Sequence, residues 1–173
     1  MTASCHRWGV CFPLLALVFF AEVGRAQDKP WNDYSLEAKQ LREAGRYPEA
    51  EKAYLAALRQ AEAIGKPDPQ LAVTLNGLAL LYQTQGRYAE AEPRYRRAAD
   101  LFEELYGPKD LTLATTLHNL AELCRQEGKY LEAERLCRRA LAIRRDLLGE
   151  EHPDVAMSLN TLSGVYASEG QYA

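Results

Sequence analysis

The sequence predicts an all-α chain, a solenoid of antiparallel helix hairpins. Three observations carry this. Gly45-Arg46-Tyr47 recurs as Gly86-Arg87-Tyr88, Gly128-Lys129-Tyr130 and Gly170-Gln171-Tyr172, at intervals of 41, 42 and 42 residues. Residues 71–112 laid over 113–154 give 17 identities in 42 without a gap. Apolar residues on both sides of each glycine fall at helical spacing. A fixed period of about 20–50 residues marks a stack of repeats, because a single unit cannot bury its own apolar face.

Before each glycine the spacing predicts a first helix. Its stripe is Leu75, Leu78, Ala79 and Tyr82, then Leu117, Leu120, Ala121 and Cys124, then Leu159, Leu162, Ser163 and Tyr166. After each glycine comes a second helix, striped by Ala50, Tyr54 and Ala57, by Ala91, Tyr95 and Ala98, and by Ala133, Cys137 and Ala140. The alanines fall where two helices approach closely, and the larger residues fill wider gaps. The glycine closes the first helix, since a residue without Cβ takes the left-handed conformation there. Pro48 suits a first helical turn, where its missing N–H has no partner to lose. Pro93 sits deeper and is expected to bend the start of its helix.

The repeats run over about 30–68, 69–110, 111–152 and, in part, 153–173. In the first, Glu37 stands where the others have Leu78, Leu120 and Leu162, which suits an outer end with no hairpin before it. In the fourth, Leu159, Leu162 and Tyr166 are expected to pack on the third hairpin. Val165 and part of Tyr166 are expected to face outward. That apolar surface predicts weak self-association through the C-terminal end.

The order Leu-Ala-x-x-Tyr, Gly-x-Tyr, Glu-Ala-Glu, Arg-Ala resembles the tetratricopeptide repeat. The period of 42, longer than the usual length of about 34, is similar to that of the kinesin-light-chain-like subgroup. So are Thr74-Leu75-Asn76-Gly77-Leu78-Ala79 and the linker Leu148-Gly149-Glu150-Glu151-His152-Pro153. The resemblance covers about residues 30–173. It implies a right-handed superhelical solenoid that holds protein or peptide partners, with the first helices lining the concave side.

The opening 26 residues read as a separate segment. His6 and Arg7 precede an apolar run of eleven residues, Val10 to Phe20, and Gly24-Arg25-Ala26 follows. This is the layout of a secretory signal peptide cleaved after Ala26, leaving residues 27–173 as an exported chain, periplasmic or secreted. An uncleaved membrane anchor is the alternative reading, although the run is shorter than the roughly 20 residues a span needs. No stable membrane span is expected after cleavage.

Net charge is −3, with 26% charged and 47% hydrophobic residues. That balance fits a folded protein and gives no basic excess for nucleic acid. The pairs Arg96-Arg97, Arg138-Arg139 and Arg144-Arg145 lie among acids and read as solvated helix faces.

Residues for catalysis are sparse. His152 reads as a turn residue that helps start the next helix. His118, on a first helix, has no Cys or His at the spacing of a metal site. No phosphate-binding glycine loop and no nucleophile elbow appear, so no catalytic residue, metal or cofactor is expected. Cys124 and Cys137 align with Tyr82 and Tyr95, at core positions. Their axial offset in a hairpin, roughly 10 Å, is too long for a disulfide, so two buried free thiols are favoured.

The binding surface is expected opposite the core stripe. It comprises Val73, Asn76, Leu80 and Gln83, then Thr115, His118, Glu122 and Arg125, then Met157, Asn160, Gly164 and Ala167. Asn119 joins them by the resemblance. Asparagine both donates and accepts, which suits a grip on peptide backbone. The plainer reading is a row of solvent-facing polar residues. Three functions follow from the sequence: a non-enzymatic protein-binding scaffold, a self-associating structural module, and the front portion of a longer protein with a catalytic or signalling domain.

Overall fold

A computed structural model describes residues 29–170. The chain divides into two units after Pro30, and the described helices lie in the second, Trp31–Ala173. Residues 1–28 and 171–173, which include the expected signal peptide, Gln171 and Tyr172, lie outside the described residues. The second unit consists of seven helices in sequence: α1 (Trp31–Glu43), α2 (Tyr47–Glu62), α3 (Pro69–Thr84), α4 (Tyr88–Tyr106), α5 (Leu111–Gln126), α6 (Tyr130–Leu148) and α7 (Pro153–Glu169). No strand occurs among the described residues. The architecture is an all-α repeat solenoid of the pairs α1–α2, α3–α4 and α5–α6, followed by α7.

The caps explain the boundaries. Gly45, Gly86 and Gly128 take φ of 73°, 72° and 76° after their first helices. The next amide then turns back to the helix: Arg87 N–H donates to the Tyr82 carbonyl at 2.9 Å and Lys129 N–H to that of Cys124 at 2.8 Å. The linkers supply N-caps at matching positions. Asp68 accepts from the Gln70 amide at 2.7 Å, Asp110 from the Thr112 amide at 2.8 Å, and His152 Nδ1 from the Asp154 amide at 3.1 Å. His152 is the helix-starting residue that its place in the linker predicts. Pro93 lies within an uninterrupted α4.

The stripes of the first three hairpins are buried as their spacing predicts, including Leu75, Leu78, Leu117, Leu120, Tyr54, Tyr95 and the stripe alanines Ala50, Ala57, Ala91, Ala98, Ala133 and Ala140. The first helices α3, α5 and α7 also bury a second row against the preceding hairpin. This row is Thr74 and Leu81 in α3, Thr116 and Leu123 in α5, and Val155, Ser158 and Val165 in α7. Its hydroxyls each donate to a carbonyl one turn back, at 2.7 to 3.0 Å. Thr74 in turn accepts from Trp31 Nε1 at 2.8 Å, which joins α1 to α3.

Two expectations are corrected by this second row. Val165 is fully buried, whereas Leu159 is 41% exposed and Leu162 half-buried. The Leu159–Tyr166 stripe is the one that a second helix of the same hairpin covers in earlier repeats, and α7 is the last described helix. The other correction is Arg144, which is 2% exposed rather than solvated. It occupies the place of Phe102 one repeat earlier, and its Nη1 donates to Ser158 Oγ at 2.7 Å and to the Asp154 carbonyl at 3.2 Å. It thus ties α6 to α7 while satisfying part of a buried charge.

The packing also bends the array. Cα atoms of successive first helices approach within 8 Å, from α1 to α3, α3 to α5 and α5 to α7. Cα atoms of successive second helices do not. First helices therefore line the inner side, and second helices fan out on the outer side. Cys124 and Cys137 are buried and unbridged. Burial pushes both thiols up to about 11, so neither is a ready nucleophile.

Candidate functional site on the inner face

The inner face is built from the residues of α1, α3, α5 and α7 that point away from their own hairpins. Its centre is a cleft of about 470 Å³ between α3 and α5. Leu80, Gln83, His118, Asn119 and Glu122 line it, joined by Thr84, Tyr88 and Gln126. Five of the residues expected at the binding surface are thus brought together. Val73, Thr115, Met157 and Asn160 lie outside the cleft and are exposed. Val73 and Met157 present apolar surface at 40% and 42% exposure.

The cleft walls are cross-linked by side chains. Gln83 Nε2 donates to Gln126 Oε1 at 3.1 Å, and Gln83 Oε1 accepts from the Tyr95 hydroxyl at 2.9 Å. Arg125 Nε donates to Glu122 Oε2 at 3.0 Å, and Arg125 Nη1 reaches Ser168 Oγ of α7 at 3.5 Å. The charges of Glu122 and Arg125 therefore offset each other within the groove. Thr115 spends its hydroxyl proton on the Leu111 carbonyl at 2.8 Å, which leaves it an acceptor.

Four buried side-chain polar atoms of the described residues have no hydrogen-bond partner: Arg42 Nε, Asn76 Oδ1, His118 Nδ1 and Glu169 Oε2. The first three stand on α1, α3 and α5. Asn76 and His118 are equivalent by the 42-residue period, and Arg42 is the equivalent of Gln83 and Arg125. Buried polar atoms are almost always paired, so a row of unpaired ones along one face is chemically specific.

Sequence reasoning missed Arg42, because the groove was read from the second repeat onward. Counting back 41 residues from Gln83 finds it. It also missed the floor. A Cβ on Gly77 would lie 2.6 Å from the Tyr54 ring, so Tyr54 packs where Asn119 stands one repeat later. Burial raises the Tyr54 phenol, while the nearby Arg42 guanidinium pulls it the other way. Among the described residues, no three of His, Cys, Asp and Glu are placed to hold a metal ion. None of their helices is long and apolar enough to cross a membrane.

His118 has a legible pH signature. Burial holds its pKa below the ordinary 6.5, helped by the charge of Arg144 and opposed by Glu122 and Asp154. A depressed histidine favours the neutral form in the folded state. Its contribution to stability is complete above the unfolded pKa and is lost as pH falls through the folded one. Stability should therefore drop as pH falls below about 6.5. His118→Asn, which copies Asn76 and Asn160, should flatten that drop in chemical denaturation. Equal slopes for parent and variant would refute the assignment.

The chain matches the tetratricopeptide repeat family over residues 34–104, 70–130 and 112–173. No curated protein sequence matches. Among solved structures, BtubC (BKLC) from P. vanneervenii is 27% identical with a TM-score of 0.76, over 89% of this chain and 65% of that one. This chain thus spans slightly under two thirds of that relative. Kinesin light chain TPR-like repeats from Podosopora anserina are 22% identical at a TM-score of 0.75, over 84% of this chain and 70% of theirs. The Yersinia enterocolitica type III secretion translocator chaperone SycD is 17% identical at 0.65, over 87% of this chain and 93% of its own, and shares the fold. With the family matched across nearly all described helices, and with neighbours of the kinesin-light-chain kind, this chain belongs to the tetratricopeptide repeat proteins, a family of protein–protein interaction scaffolds.

Proposed function

We propose that the inner face binds an extended peptide segment of a protein partner, without catalysis. The observation that carries this is the row of unpartnered polar atoms, Arg42 Nε, Asn76 Oδ1 and His118 Nδ1, on three successive first helices. A peptide backbone offers donors and acceptors all along its length, and an extended strand can reach all three repeats. Exposed Val73 and Met157 add apolar contact. Peptides selected from a random display library on the full chain should lose affinity when Asn76 and His118 are both changed to alanine. Each lost hydrogen bond is worth about 1 kcal/mol, roughly fivefold in Kd. Arg97→Ala, an exposed change on α4, should leave affinity unchanged. Peptides indifferent to the double substitution would place the binding site elsewhere.

A second reading, self-association, is supported at the end formed by α6 and α7. Leu141, Leu159 and Leu162 line a groove of about 600 Å³, flanked by Arg138 and Arg145. A second copy of the chain is the occupant proposed. Leu159→Lys should shift sedimentation toward monomer while leaving the melting curve unchanged. Val165→Lys should instead cost about 2–5 kcal/mol of stability, because it buries a charge between α6 and α7. A parent chain that stays monomeric at high concentration overturns this reading.

Export, with cleavage after Ala26, rests on the apolar run and the Gly24-Arg25-Ala26 site. N-terminal sequencing of the periplasmic or secreted protein should begin at Gln27. Intact Met1 on soluble cytoplasmic protein would exclude it.

A further inference from the structure

The outer side of the array is held by charge. No Cα of α2 comes within 8 Å of α4, nor of α4 within 8 Å of α6. Long side chains span these gaps. Arg87, the N-cap of α4, reaches Glu51 of α2 at 2.8 Å. One repeat later Lys129, the N-cap of α6, reaches Glu92 of α4 at 2.7 Å. Arg96 continues the line, meeting Glu92 at 2.6 Å and Glu132 of α6 at 2.9 Å. Arg139 meets Glu103 at 2.7 Å further along the same helix pair.

These pairs form an alternating chain, Lys129–Glu92–Arg96–Glu132, between α4 and α6. Lys129 and Arg96 pull the Glu92 carboxyl below the ordinary range. Side-chain exposure of the four runs from 19% to 43%, so salt reaches them. The inner side differs. There α3 and α5 come within 8 Å, Cα to Cα, and α5 also packs along α4, contacts that salt does not screen. Two hairpins joined by the packing of α5 on α3 and α4, and between their second helices by screened charges, form a hinge whose axis runs along α5.

We propose that the tilt between successive hairpins, and hence the curvature of the array, is set by this outer row of ion pairs and responds to ionic strength. Weakening the ties lets α4 and α6 separate while α3 and α5 stay in register. The inner groove then narrows. This inference does not depend on what the groove binds, because it concerns the free chain.

Spin-label distances on the full chain test it. Asp100→Cys with Ala142→Cys places labels at equivalent exposed positions on α4 and α6, and Val73→Cys with Thr115→Cys does so on α3 and α5. The native thiols, buried and held near about 11, stay unlabelled in the folded state. Raising salt from about 0.1 M to about 1 M shortens the Debye length from about 10 Å to about 3 Å. The outer distance should lengthen and its distribution broaden, while the inner distance holds. Glu92→Gln with Glu132→Gln should give the lengthened distance already at low salt and respond little to added salt, with unchanged circular dichroism. An outer distance indifferent to both salt and substitution, or inner and outer distances that move together, would overturn the proposal.

Discussion

The whole structure depends on one constraint: from α3 onward, each first helix has two apolar rows, and no single neighbour covers both. One row packs on the second helix of its own hairpin, the other on the hairpin before. In α5 the first row is Leu117, Leu120, Ala121 and Cys124, and the second is Leu113, Thr116 and Leu123; all are buried. The stack is stable only because neighbours supply what a hairpin lacks. The polar side of the same helices is then left over, and its position on the inner face follows from the packing rather than from any separate device.

This explains which features were legible in the sequence. The helix ends were, because a glycine, a His in the linker and a proline each act locally, while the Asp68 and Asp110 caps emerge only from the structure. The buried stripes of complete hairpins were, because period and burial coincide. The fourth repeat was not. Its sequence carries the same pattern, but spacing alone does not say which of two rows meets a partner, so Val165 and Leu159 exchanged places. Arg144 was misread for a related reason. Beside Arg145 it looks like half of a solvated pair, yet the 42-residue period puts it in the place of Phe102.

The candidate site was half legible. Residues facing away from the core stripe could be counted off, and Leu80, Gln83, His118, Asn119 and Glu122 do meet in one cleft. Arg42 could not be found from the second repeat alone. The Tyr54 ring against Gly77 could not either, since a close approach between helices leaves only a glycine as its trace. Conversely, the Glu122–Arg125 pair reads as two charges in sequence and acts as a neutral unit in the groove.

The inner and outer sides thus divide the labour in physical terms. The ion pairs that span the array gather on the outer second helices, where each tie is weak alone and exposed to salt. On the inner face charge is mostly offset or suppressed: Glu122 is matched by Arg125, and burial keeps His118 neutral. Burial likewise holds both thiols in their protonated form. For the peptide binding proposed above, the inner face supplies hydrogen-bonding capacity without strong net charge, flanked by isolated apolar side chains. Such a surface gains most from a chain that brings its own regularly spaced donors and acceptors. An extended peptide backbone has that property, and a compact charged ligand does not.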